Sequence, residues 1–274
     1  MNQIPFPMKL MSLSFLIAVF LITTVSTPAN AQNEVSLEEV YEAREFISED
    51  GDTLLYRIML PEQMEEGKKY PLVLFLHGAG ERGNDNTAQL EWGVHAFANP
   101  EFREWNPAIV IVPQAPENSF WGNRDWRDEG AGLMSEQAGP LELAHQLVLT
   151  TIDDYPVDEN RLYITGLSMG GFGTWDMITR YPDLFAAAMP ICGGGDPTKA
   201  HLLVDLPIWN FHGAKDAVVP AHLSRDMIQA IRIAGGSPGY TEYPDTDHFS
   251  WIPAYADAHV LEWLFKQRKD TPSQ

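Results

Sequence analysis

Six short, largely apolar runs recur along this chain, at 72–76, 108–112, 161–165, 185–191, 207–212 and 240–243, with longer helical patterns between them. That alternation limits the folds open to it more than any other feature. Pro71 and His77-Gly78 bracket the first run, Pro113 ends the second and Gly166 ends the third. Runs closed at both ends by turn residues suit strands buried on both faces, as in a parallel sheet. Between them, residues 141–155 place Leu141, Ala144, His145, Val148, Ile152 and Tyr155 on one helical face. Helical patterns also cover 171–181, 221–234 and 254–266. Strands alternating with helices predict βαβ units in an α/β fold: a doubly wound, mostly parallel sheet with helices on both faces. Upstream, the runs 44–48 and 53–60 flank Glu49-Asp50-Gly51-Asp52, the pattern of a hairpin. The longest irregular stretch is 113–137, and a loop of that length in a compact domain is functional or mobile.

The first residues read as an address. Positions 10–25 are almost uniformly apolar, Lys9 precedes them, and Pro28-Ala29-Asn30-Ala31 follows with an A-x-A cleavage pattern. The apolar run is shorter than the ~20 residues a membrane span needs. We therefore expect a signal peptide cleaved after Ala31 and a secreted or periplasmic product, with no stable membrane insertion after cleavage. The expected layout is leader 1–31, polar lead-in 32–43, a single domain 44–267 and a tail 268–274.

Composition bears on partners. With 38 acidic against 18 basic residues, the net charge is −20. A surface that acidic repels nucleic acid and anionic membranes, so neither is an expected partner. The single cysteine, Cys192, allows no intramolecular disulfide and no multi-cysteine metal site.

Gly166-Leu167-Ser168-Met169-Gly170 is G-x-S-x-G placed after a predicted strand and before a predicted helix. A turn that tight leaves no room for a side chain at Gly166 or Gly170, and it exposes the serine hydroxyl at its apex. A serine needs a histidine to take its proton and an acid to fix the histidine's tautomer. In this strand–turn–helix setting the chain order is Ser, acid, His. Asp216 lies just past the end of a predicted strand, whereas Asp196 comes too early and Asp205 precedes its strand. Of the later histidines, His222 opens a helix and His259 lies within one. His248 sits on a loop after the last strand and is the expected base. The oxyanion hole is expected from the amides of Met169 and Ala79, with Gly78 as the alternative to Ala79. His77 is expected to pin that loop, and Glu81 and Arg82 to pair across it or remain solvated. Trp121 and Trp251 stand on loops expected at strand C-termini, where they can stack on an aromatic or sugar-bearing ester. Trp126, Arg124 and Arg127 share the long loop with Trp121.

Together, His77-Gly-Ala-Gly-Glu-Arg-Gly83, Gly166-Leu-Ser-Met-Gly-Gly171, His212-Gly-Ala-Lys-Asp216 and His248-Phe-Ser-Trp251 resemble the α/β-hydrolase superfamily. More narrowly, they resemble secreted carboxylesterases of the predicted-peptidase/phospholipase–carboxylesterase-like group. That group is similar to feruloyl esterases and polyhydroxybutyrate depolymerase-like esterases. The resemblance runs from about Arg44 to Phe265 and makes 44–267 a catalytic domain. It implies a cofactor-free, metal-free serine esterase acting on short-acyl or hydroxycinnamoyl esters, small or polysaccharide-linked. The alternatives are a peptidase or lipase-like hydrolase on the same fold, or a non-catalytic binder. A binder would be marked by a lost triad member, and none is lost.

Overall fold

In the computed structural model, which describes residues 36–122, 137 and 139–269, eight strands form one sheet. They are β1 (Glu42–Ile47), β2 (Thr53–Met59), β3 (Tyr70–Leu76), β4 (Ile109–Pro113), β5 (Val157–Leu167), β6 (Ala187–Ile191), β7 (Trp209–Gly213) and β8 (Gly239–Tyr243). The helices are α1 (Leu37–Val40), α2 (His95–Ala98), α3 (Pro100–Trp105), α4 (Gly139–Asp154), α5 (Met169–Arg180), α6 (His222–Ala234), α7 (Trp251–Ala256) and α8 (Ala258–Lys266). The expected leader 1–31 and its cleavage site lie outside the described residues. Among those residues, no helix is long and apolar enough to cross a membrane.

The sheet order is β1-β2-β4-β3-β5-β6-β7-β8. β2 pairs antiparallel with both β1 and β4, and all the other neighbours are parallel, so β2 alone runs against the rest. The expected mostly parallel sheet is therefore present, and its core explains the apolar runs. Leu72, Leu74 and Leu76 of β3 enter one buried cluster, while Val73 and Phe75 enter a second on the opposite face. Leu147 of α4, Met177 of α5 and Met227 of α6 close the first cluster; Phe97 of α2 and Leu264 of α8 close the second. A strand covered on both faces needs apolar residues at every position, because each side chain buried stabilises by about 1.5–3 kcal/mol.

The expected hairpin forms between β1 and β2, with Gly51 at φ 89° and its amide donating to Ser48 O at 3.0 Å. Three differences from the sequence reading have local causes. The lead-in is partly structured: Ser36 caps α1 through a reciprocal box with Glu39, and the buried Tyr41 hydroxyl donates to Val94 O at 2.9 Å. The expected closing helix is broken in two at Asp257, whose extended backbone ends α7 while its carboxylate accepts from His259 N at 2.9 Å to start α8. Finally, α2 and α3 fill a stretch in which no helix was expected.

The topology fixes where a site can form. The chain leaves β3 to build β4 on one side and returns to build β5 on the other. The loops leaving the C-terminal ends of β3 and β5 therefore diverge, opening the crevice in which open α/β sheets bind ligands. His77–Gly83 follows β3, and Ser168 follows β5.

Candidate active site

Ser168 occupies the single residue between β5 and α5, at φ 53° and ψ −116°. A positive φ is strained for a residue with a Cβ, at a cost of about 1–3 kcal/mol, and it persists only where surrounding structure enforces it. The enforcement is visible. The Ser168 amide donates to Ile191 O of β6 at 3.0 Å. A Cβ at Gly170 would lie 1.9 Å from Leu76 O, and one at Gly166 would lie 2.4 Å from Gly170 O. The helix start therefore sits directly against the end of β3, and only glycine permits that approach.

The fold brings three of the expected residues together from three loops. His248 Nε2 is 2.9 Å from Ser168 Oγ, and His248 Nδ1 is 2.7 Å from Asp216 Oδ2. The Asp216 side chain is fully buried and that of His248 is 15% exposed, so solvent reaches the imidazole but not the carboxylate. The other Asp216 oxygen, Oδ1, accepts from the Val218 and Val219 amides, each at 2.8 Å. Burial pushes the Asp216 carboxyl up. Hydrogen bonds from His212, His248 and the Val219 amide outweigh it and hold the group well below the usual carboxylate range. It is therefore ionised, and as an acceptor it fixes the proton of His248 on Nδ1, which leaves Nε2 free to accept from Ser168.

His212 has no assigned role in the sequence reading, yet it lies against the same carboxylate. It is buried, with Nε2 2.9 Å from Val219 O and 3.3 Å from Asp216 Oδ2. A carbonyl oxygen only accepts, so Nε2 carries a proton. On the other side of the ring, Nδ1 lies 2.7 Å from Ser224 Oγ of α6. The motif around Asp216 contained this residue, but its partners come from α6 and a loop, which no local pattern specifies.

Of the two residues expected to donate to an oxyanion, Ala79 lies on the loop after β3 and Met169 on the turn after β5. Ala79–Glu81 forms one 3-10 turn, and Met169 is the first residue of α5. The first amides of a helix have no intrahelical acceptor, so both can serve a ligand. His77 pins the loop as expected: Nδ1 donates to Gly78 O at 2.6 Å and Nε2 accepts from Ala115 N at 2.9 Å. Burial pushes this imidazole down to about 4, keeping it neutral. Glu81 and Arg82 do not pair. Arg82 instead donates to Ala79 O at 2.8 Å and Ser119 O at 3.2 Å, and its guanidinium lies 5.2 Å over the Phe120 ring. Burial pushes the Glu81 carboxyl up, and its Oε2 is buried without a hydrogen-bond partner.

The two tryptophans expected to stack on substrate are placed differently. Trp121 is 0% exposed, and its Nε1 donates to His77 O at 3.1 Å. It braces the loop after β3 from inside the core and offers no open face, which corrects the expectation of a stacking wall there. Trp251 is 5% exposed, edge-on to His248 with ring centroids 5.2 Å apart. Its neighbours Trp92 and Phe249 were not singled out from sequence. Trp126, Arg124 and Arg127 lie outside the described residues.

One cluster among the described residues brings three metal-type donors within 4.8 Å of one another: Cys192, Asp216 and His248. Asp216 and His248 are already committed to each other, and burial pushes the Cys192 thiol far up, which keeps it protonated. Such a donor set fits a metal poorly.

Residues 51–262 match the family described as "Putative esterase". An acetylxylan esterase A from Talaromyces purpureogenus is 28% identical over 77% of this chain and 53% of its own length. A secreted, uncharacterised protein from Arthroderma benhamiae is 24% identical over 81% of this chain and 26% of its own. The chain thus spans from about a quarter to about half of these two relatives. Among solved structures, a thermostable esterase superposes with TM-score 0.79 at 41% identity, over 84% of this chain and 64% of that one.

Proposed function

The chain belongs to the esterase family matched over residues 51–262, and from that premise we propose that it is a serine carboxylesterase working through Ser168, His248 and Asp216. The observation that carries this reading is the unbroken line of contacts from Ser168 Oγ through His248 to Asp216, at 2.9 and 2.7 Å. Ser168 Oγ attacks the ester carbonyl while His248 Nε2 takes its proton. Asp216 stays ionised and stabilises the imidazolium through Nδ1–H without accepting the proton. The carbonyl oxygen becomes anionic between the Met169 and Ala79 amides. His248 then returns the proton to the departing alcohol, and water repeats the sequence on the acyl-enzyme. No step requires a cofactor.

Short-acyl or hydroxycinnamoyl esters, free or on polysaccharide, are the substrates this reading takes, in line with the acetylxylan esterase relative. The leader pattern at 1–31 and the secreted relative support export, with cleavage after Ala31. The domain reading, with 44–267 as one catalytic unit, goes with it.

Purified protein should hydrolyse 4-nitrophenyl acetate, and Ser168→Ala should reduce the rate to background. A Ser168→Ala protein that still turns the ester over at the wild-type rate would remove the serine from the chemistry. Failure of the folded wild type to hydrolyse any ester would favour the non-catalytic binder.

A further inference from the structure

We propose that Trp92 and Phe249, backed by Trp251, form a platform for a ring on the alcohol side of the ester, so that the preferred substrate joins a short acyl group to a ring-bearing alcohol. This rests on the esterase reading above. The three rings form one cluster beside the imidazole. Phe249 and Trp251 have centroids 4.8 Å apart, Trp92 lies 6.0 Å from Phe249 and 6.1 Å from Trp251, and Trp251 lies 5.2 Å from His248. The cluster is open on one side: Phe249 is 45% exposed, and Ile252 beside it is 51% exposed. Its construction is specific. Gly93 holds φ 79°, and a Cβ there would lie 2.7 Å from Tyr255 and 2.8 Å from Phe75, so the backbone carrying Trp92 is pressed onto the core.

The chemistry decides which part of the substrate meets these rings. In acylation the Ser168 Oγ–carbon bond forms, the carbon–oxygen bond to the alcohol breaks, and the proton taken by His248 Nε2 passes to the departing alkoxide. The tetrahedral intermediate carries four groups: Oγ, the oxyanion, the acyl chain and the leaving oxygen. The oxyanion faces the amides of Met169 and Ala79. The leaving oxygen must come within hydrogen-bond reach of His248 Nε2, about 2.6–3.2 Å. Whatever that oxygen carries therefore lies on the side of His248, whose ring is edge-on to Trp251, and Trp251 in turn carries Phe249 and Trp92, while the acyl chain points elsewhere. An aromatic contact adds to binding only where a ring is present to stack.

The test compares Phe249→Ala with wild type, in the full-length protein, on four esters: ethyl acetate, benzyl acetate, an acetylated methyl xyloside and a methyl hydroxycinnamate. Phe249→Ala should lower kcat/KM for benzyl acetate or the xyloside roughly three- to tenfold more than for ethyl acetate, and Phe249→Tyr should restore it. A selective loss with benzyl acetate alone assigns aryl alcohols; a selective loss with the xyloside alone assigns sugars. Equal losses on all four esters, or a larger loss on the methyl hydroxycinnamate, would overturn the proposal, the latter by placing the ring on the acyl side. No turnover of any of the four by wild type would overturn the esterase reading itself.

Discussion

Asp216 holds two imidazoles with one carboxylate, and its environment determines how it titrates. Its folded-state pKa is depressed by the hydrogen bonds it accepts from His212, His248 and the Val219 amide, which win over burial. For a depressed acid, the stabilisation is fully present above the unfolded pKa, ~3.9, and is lost as pH falls through the folded value. The melting-temperature gap between wild type and Asp216→Asn should therefore be constant above about pH 5 and shrink below about pH 4. A gap unchanged down to pH 2 would mean that the carboxylate is not the stabilising form. The same variant should lose kcat on the order of 10³–10⁴-fold, because the acid no longer fixes the tautomer. Removing His212, as in His212→Asn, deprives that carboxylate of one donor, a loss of about 1.5–3 kcal/mol for a hydrogen bond to a charged group. It should lower kcat by roughly ten- to a hundredfold with little change in KM. Steady-state kinetics with unchanged kcat would reduce His212 to packing.

At the scale of elements, the turn from β5 to α5 is held by contact between backbones. Gly170→Ala must place a methyl 1.9 Å from Leu76 O, whereas at Gly139, in the first turn of α4, an added methyl meets nothing within 4 Å. Thermal melts should show Gly170→Ala severely destabilised or unfolded and Gly139→Ala close to wild type. Comparable melting of both variants would mean that β3 and α5 can separate. This turn was readable in advance because its residue types follow from local geometry, as were the strands, whose apolar runs follow from burial on both faces. The break at Asp257 was not readable, since apolar residues at helical spacing continue through it, from Ala254 and Tyr255 to Val260 and Leu261. Trp121 was read as a binding residue because a loop position gives a side chain's chemistry without its direction. Here the direction is set by the His77 carbonyl, which accepts its indole N–H and turns it inward. Trp92 was missed because it meets Phe249 and Trp251 from far away in sequence; His212 was missed although Asp216 is only four residues on, because spacing alone does not tell that its ring turns toward that carboxylate.

The whole molecule combines a dense two-faced core with a charge of −20. Excess charge of one sign destabilises a compact state through self-repulsion, and salt screens it, the Debye length falling from ~30 Å at 0.01 M to ~3 Å at 1 M. The melting temperature should rise on going from 10 mM to 1 M sodium chloride; a fall would show that attractive pairs such as Arg225–Glu242, at 2.7 Å, outweigh the net repulsion. Against that background, the proposed catalytic residues are gathered beside the point where the strand order reverses, between β3 and β5. The most direct measurement is kcat/KM for 4-nitrophenyl acetate in wild type, Ser168→Ala, His248→Ala and the double variant. Residues that act as one unit lose their effect together. Each single variant should fall on the order of 10⁴-fold or more, and the double variant should be scarcely worse than either. A double variant whose loss equals the product of the two single losses, or a Ser168→Ala enzyme near wild type, would contradict a catalytic unit built on Ser168 and His248.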